Sequence, residues 1–61
     1  MDARITVTSW NKGHAEWQQV ITAKTLAAAR RKAYKLVDGC GVERKEIVVT
    51  SKIMDHEWWQ I

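Results

Sequence analysis

The 61-residue sequence has no phenylalanine, one cysteine and no long apolar run. Because Cys40 is alone, the chain cannot form an internal disulfide, and it lacks the two cysteines that the usual structural zinc sites need. No stretch approaches the roughly 20 apolar residues of a membrane span. The first residues also lack the charged and apolar regions of a signal peptide. We therefore expect a cytoplasmic protein in a reducing compartment, without a membrane partner.

Constellations of catalytic or metal-binding residues are also lacking. The candidate side chains are His14, Cys40, Asp55, His56 and Glu57. No spacing among them places a nucleophile beside a base with a third group to orient it. The run 55–57 would bind a transition metal only weakly, since no second set of ligands accompanies it. The sequence thus predicts neither an enzyme nor a cofactor.

What the chain does have is tryptophan, at positions 10, 17, 58 and 59. A single domain of this size, spanning residues 1–61, buries only about 60% of the surface of its unfolded chain. Four such rings are too many for its core, and exposed tryptophan marks a surface that binds a protein, a nucleic acid or a second copy. Without disulfide or zinc, association into a homodimer is also the remaining way to add stability.

Basic residues are concentrated in the middle of the chain. Residues 24–45 contain seven basic and two acidic side chains, a net charge of +5, whereas the rest of the chain carries −2. This distribution favours an anionic partner, such as nucleic acid, for one surface. A solvated helix face that keeps the protein soluble would give the same pattern.

The first 23 residues are predicted to form a β-hairpin. Residues 4–10 and 16–22 are rich in β-branched side chains and alternate in polarity, with Asn11-Lys12-Gly13 as the turn between them. A three-residue loop with Gly13 in the left-handed conformation would place Val7 opposite Trp17. One face of the hairpin then collects Ile5, Val7, Trp17 and Ile21.

A helix is predicted from Leu26 to Val37, with Thr25 as its N-cap and Asp38-Gly39 as its end. Its apolar residues form one stripe, at positions 26, 29, 33, 36 and 37. Basic residues at positions 31, 32 and 35 lie roughly opposite that stripe. One helix face is therefore expected to pack on a sheet, and the other to meet solvent or an anion.

Two more strands are predicted, over residues 46–53 and 58–61. Alternation directs Ile47, Val49 and Ile53 inward, and Val48, Thr50 and Lys52 outward. For the same reason Trp58 and Trp59 cannot both be core residues, and Trp59 is expected inward. The predicted fold is α+β with the order ββαββ, an antiparallel sheet with one amphipathic helix packed on one face.

Two surfaces are candidates for binding. The exposed sheet face is expected to carry four residues that suit a protein partner: Trp10, Val20, Val48 and Trp58. The same face could stack unpaired bases or become buried in a homodimer. Four basic helix residues would supply phosphate contacts to a nucleic acid: Arg30, Arg31, Lys32 and Lys35.

Residues 20–33, VITAKTLAAARRKA, form a predicted strand that runs straight into an alanine-rich basic helix. This layout resembles that of small proteins encoded by phages or mobile elements, some anti-CRISPR proteins among them. The resemblance covers about a quarter of the chain and transfers no functional residue. It implies a binder that obstructs or adapts a larger host complex.

The leading interpretation is a non-enzymatic binding module that docks on a host protein or nucleoprotein complex. Direct nucleic-acid binding through the basic helix and exposed tryptophan is the alternative. A structural homo-oligomer is the second alternative.

Overall fold

The computed structural model describes residues 2–61. Two β-hairpins flank one helix, in the predicted order ββαββ. The elements are strands β1 (Ala3–Asn11) and β2 (His14–Ala23), helix α1 (Leu26–Gly39), a 3₁₀ turn (Arg44–Glu46), and strands β3 (Val48–Ile53) and β4 (His56–Gln60). No helix in the described part of the chain is long and apolar enough to cross a membrane.

The four strands form one mixed sheet in the order β2-β1-β4-β3. Its central strands β1 and β4 are parallel, with Val7 beside Trp59, so the prediction of an antiparallel sheet is wrong. The reason is the crossover: α1 carries the chain from β2 at one edge to β3 at the other. The second hairpin therefore places its last strand beside β1, and two hairpins joined in this way have parallel inner strands.

The first hairpin is closed by a tighter turn than predicted. Lys12 and Gly13 form a two-residue turn in which both φ angles are positive, 52° and 82°, as in type I′ turns. Val7 faces Gln19 and not Trp17, so the predicted register is wrong by two residues. Over residues 3–9 and 17–23 this shift of two keeps each side chain on its predicted face, whereas a bulge after Ser9 pairs Trp10 with Ala15 nearer the turn. Trp17 accordingly still lies on the helix side, partly buried against the core.

Helix α1 begins as predicted. The Oγ1 atom of Thr25 accepts a hydrogen bond from the backbone N–H of Ala28 at 3.2 Å, which satisfies one of the free donors of the first turn. The helix packs on β1 and β2 through three buried residues, Ala29, Ala33 and Val37. The sheet side of the core consists of Ala3, Ile5, Val7, Ile21 and Trp59.

Strand β3 lies beyond the cover of the helix, and all six of its residues are exposed. Val49 lies on the helix side, as predicted, but is 50% exposed, whereas Ile53, also predicted to point inward, lies on the other side of the sheet and is 62% exposed, so that prediction is wrong. A helix is about 10–12 Å wide, whereas strands are spaced at about 4.8 Å. One helix therefore covers little more than two strands, and here these are β1 and β2.

A β-bulge at Thr50 interrupts the pairing of β3 with β4. The Thr50 hydroxyl donates a hydrogen bond to the carbonyl oxygen of Trp58 at 3.0 Å. Because a bulge inserts one extra residue, the side chains after it change faces. Lys52 consequently faces the buried Glu57 on the helix side, and Ile53 lies on the opposite side, the reverse of the predicted alternation.

Candidate functional site

The sheet face opposite α1, called the outer face below, is covered by no other element among residues 2–61. Strand pairing puts the side chains of Val20, Thr6 and Trp58 in one row across it. The neighbouring row consists of Thr8, Gln60 and Val48. Trp10 follows two residues after Thr8 on β1 and points to the same face. All four residues of the predicted protein-binding set therefore lie on this one face.

These four residues differ in exposure. Trp10 is 45% exposed, Val20 55% and Val48 57%, but Trp58 is only partly exposed. The ring of His56 stacks on the Trp58 indole, with centroids 3.8 Å apart and planes 25° from parallel. Trp58 thus lies on the face where it is expected, but it is less open than Trp10, because a neighbour two residues away on the same strand shields one side of its ring.

His56 is held in place by a contact that the sequence pattern did not show. Its Nε2 atom lies 2.9 Å from Oγ1 of Thr6, a residue that is only 5% exposed. A hydroxyl bonded to an imidazole is the pairing used by serine and threonine nucleophiles. Here Thr6 is buried, and the contact positions the ring of His56 and thereby Trp58.

A shallow pocket of about 320 Å³ lies on the outer face around Trp10 and Trp58. Its other side chains are mostly polar: Thr8, Gln18, Thr50 and Gln60. Gln18 donates a hydrogen bond to the Thr8 hydroxyl at 3.0 Å, across the first hairpin. The surface thus combines aromatic rings with uncharged hydrogen-bonding groups, a composition typical of protein interfaces.

The helix side of the sheet contains a buried carboxylate, that of Glu57 on β4, which is 1% exposed. The guanidinium of Arg30 on α1 donates to both of its oxygens. The indole N–H of Trp59 donates to Oε2 at 2.8 Å. These donors hold the pKa of Glu57 below its ordinary value, mainly through the Arg30 hydrogen bonds, although burial acts in the opposite direction.

A stack of side chains continues from this carboxylate along the helix. The ring of Tyr34 packs against Trp59 with centroids 4.9 Å apart. The guanidinium of Arg44 lies over the Tyr34 ring, 4.5 Å from its centroid, within cation–π range. Arg44 also pairs with Asp38 at 3.3 Å. These contacts fasten the helix and the following loop to β4, and they engage Arg44 within the fold, as the contact with Glu57 engages Arg30.

The predicted phosphate-binding set is therefore divided. Arg31, Lys32 and Lys35 line one stretch of the solvent side of α1, whereas Arg30 is paired with Glu57. Lys32 also donates a hydrogen bond to the carbonyl oxygen of Thr22 at 3.3 Å. Three cations remain together on this surface.

The titratable residues considered for chemistry are dispersed. His56 lies on the outer face and Glu57 on the helix side, because neighbouring residues of a strand point in opposite directions. Cys40 is exposed just after the helix. Within the described chain, no group of three or more His, Cys, Asp or Glu side chains is placed to hold a metal ion.

The chain matches no family model, and comparisons with curated proteins and with solved structures give no match either.

Proposed function

We propose that the protein is a non-enzymatic binding module that docks on a protein partner through its outer face. The observation that carries the proposal is the placement of Trp10 and Trp58 on the two central strands of a sheet whose outer face lies open. Tryptophan is enriched at interfaces because one side chain buries a large area at little entropic cost. Most surface residues near them are uncharged, which also suits a desolvated contact.

The resemblance of residues 20–33 to small phage-encoded proteins suggests the class of partner. We propose a larger host protein or nucleoprotein complex, in which this chain covers a surface and performs no reaction. Trp10 would be the anchor of the contact, and the polar pocket around it would supply hydrogen bonds at the centre.

Site-specific photo-crosslinking tests this proposal in the cell that makes the protein. A photoreactive amino acid replaces Val20 on the outer face or, as the control, Lys35 on the helix. A partner should be captured from position 20 and not from position 35. With that partner purified, Trp10→Ala should weaken binding by about 30-fold or more, as for interface anchors that contribute about 2 kcal/mol.

Two controls make the result specific. Lys35→Ala should change the affinity by less than about threefold, because it lies on the other side of the molecule. Circular dichroism should show that Trp10→Ala still folds, as expected for a half-exposed side chain. Capture from position 35 alone, or unchanged affinity in Trp10→Ala, would contradict docking through the outer face.

The second candidate function, nucleic-acid binding, is favoured by the grouping of Arg31, Lys32 and Lys35 on one exposed helix surface. Three phosphate contacts would give a slope of log affinity against log salt of about −2.7 for duplex DNA and about −2 for single strands. Reversal of Arg31 and Lys35 to Glu should then abolish binding, while Trp10→Ala leaves it unchanged. Salt-independent binding would exclude this surface.

A further inference from the structure

We propose that strand β3 pairs with β3 of a second copy of this chain, which joins two four-stranded sheets into one of eight strands. This inference goes beyond the proposed function, since it concerns the sheet edge and leaves the outer face free. Its starting point is the distribution of exposed apolar side chains. Four of the six large ones lie in or just after β3: Val48, Val49, Ile53 and Met54.

The exposure of β3 extends to both of its faces. Val49 lies on the helix side, opposite Trp59, and Val48 lies on the outer side, opposite Gln60. Apolar residues on both faces of a strand are typical of sheets that are covered on both sides. Strand β3 has no such cover, and as an edge strand it also has one row of unpaired backbone groups. The strand contains no proline and a single charged residue, Lys52, so its protection against edge pairing is limited to that lysine and the bulge.

The bulge at Thr50 makes this edge complementary to itself. In antiparallel pairing, residues directly opposite each other have side chains on the same face. Pairing about the midpoint of β3 brings Val48 opposite Ile53 of the second copy, both on the outer side. It also brings Val49 opposite Lys52 of the second copy, both on the helix side. In a strand without the bulge, the same pairing would oppose residues that point to different faces.

Self-pairing would also add stability to a chain of 61 residues whose single cysteine cannot form an internal disulfide. A two-fold axis perpendicular to the sheet places both helices on one side and both outer faces on the other. The tryptophans of the two copies would then form one continuous binding surface. Lys52 would lie opposite the apolar Val49 and not opposite its own copy, so no like charges face each other.

The test uses the full chain and three substitutions, with analytical ultracentrifugation from micromolar to millimolar concentration. The wild type should approach twice the 7.1 kDa monomer mass. Val49→Lys should weaken the dimer on the order of tenfold, because the introduced lysine would lie opposite Lys52 in both symmetric pairs. Val49→Glu should keep or strengthen it, and added salt should reduce that gain.

Val20→Lys is the matched control, because Val20 is a similarly exposed valine on the outer face of the opposite edge strand, β2. It should leave the edge dimer intact. Loss of the dimer in Val20→Lys with retention in Val49→Lys would overturn the proposal in favour of a face-to-face dimer. A wild type that stays monomeric at millimolar concentration would also overturn it, without bearing on whether Trp10→Ala loses a foreign partner.

Discussion

The carboxylate of Glu57, buried on the central strand β4, is held by the half-exposed guanidinium of Arg30 on α1. This pair links the helix to a strand that its alanine stripe does not cover. A third donor, the indole N–H of Trp59, completes the shell of the carboxylate at 2.8 Å. A buried charge with all its acceptors satisfied is tolerated, whereas one that loses its cationic partner is costly. The energetic importance of Arg30 therefore differs from that of the other basic residues on the helix.

Arg30→Ala should destabilise the fold by about 2–3 kcal/mol, because Glu57 would remain buried without its counterion. This is below the range for fully buried pairs, since the Arg30 side chain is 44% exposed. Arg31→Ala, at the adjacent position, should change stability by less than about 0.5 kcal/mol. Urea denaturation of both variants makes the comparison, and equal effects of the two substitutions would contradict the structural role of Arg30.

Stability should fall in acid because of Glu57. Its pKa is lower in the folded chain than in the unfolded one, owing first to the hydrogen bonds from Arg30. The contribution of ionised Glu57 to the free energy of unfolding is therefore complete above the ordinary glutamate pKa of about 4.3. It is lost as the pH falls through the lower pKa that Glu57 has in the folded state. Thermal melts across this acid range should show a smaller pH dependence in Glu57→Gln. Glu43→Gln, at an exposed pair with Lys45, should retain the wild-type dependence.

Local patterns in the sequence were sufficient to predict the helix and its cap. They were also sufficient to separate the two faces of the first hairpin. Thr25 and the alanine stripe act within one element, and the alternation of Trp58 and Trp59 depends only on strand geometry. Trp59 is buried and Trp58 faces outward, as expected.

The errors concern how the elements are placed beside one another. Two hairpins can join through several pairs of strands, and no local residue specifies that β1 and β4 become parallel neighbours. No glycine accompanies the bulge at Thr50, so the sequence pattern does not indicate it. The bulge reverses the faces of Lys52 and Ile53. The pairing of Arg30 with Glu57 joins residues 27 positions apart. Helical periodicity alone therefore could not show that Arg30 is engaged by Glu57 and is lost from the predicted phosphate-binding set.

The four tryptophans should differ in accessibility to a soluble quencher. Trp10 should be quenched most strongly and Trp59, which is 2% exposed, least. Trp17 and Trp58 should be intermediate, since the core shields one and His56 the other. Single Trp→Phe variants with acrylamide quenching measure this order.

Truncation should separate the two extremes further. Trp59→Ala should cost about 3–5 kcal/mol, enough to unfold a small domain. Trp10→Ala should cost less than about 1 kcal/mol. Similar losses at both positions would contradict the assignment of faces.

The turn of the second hairpin should be improvable at one residue. Of its two central residues, Met54 and Asp55, only Met54 has a positive φ, 52°, a pattern that favours glycine at the first position. Met54→Gly should therefore stabilise the fold by about 0.5–1 kcal/mol, because relief of the left-handed strain exceeds the entropy cost of glycine. For a domain of this size, Tm should rise by about 2–8 °C. Met54→Ala is the control, since it removes the same exposed side chain but keeps Cβ. An equal rise in Met54→Ala would assign the gain to the loss of exposed apolar surface and not to the backbone.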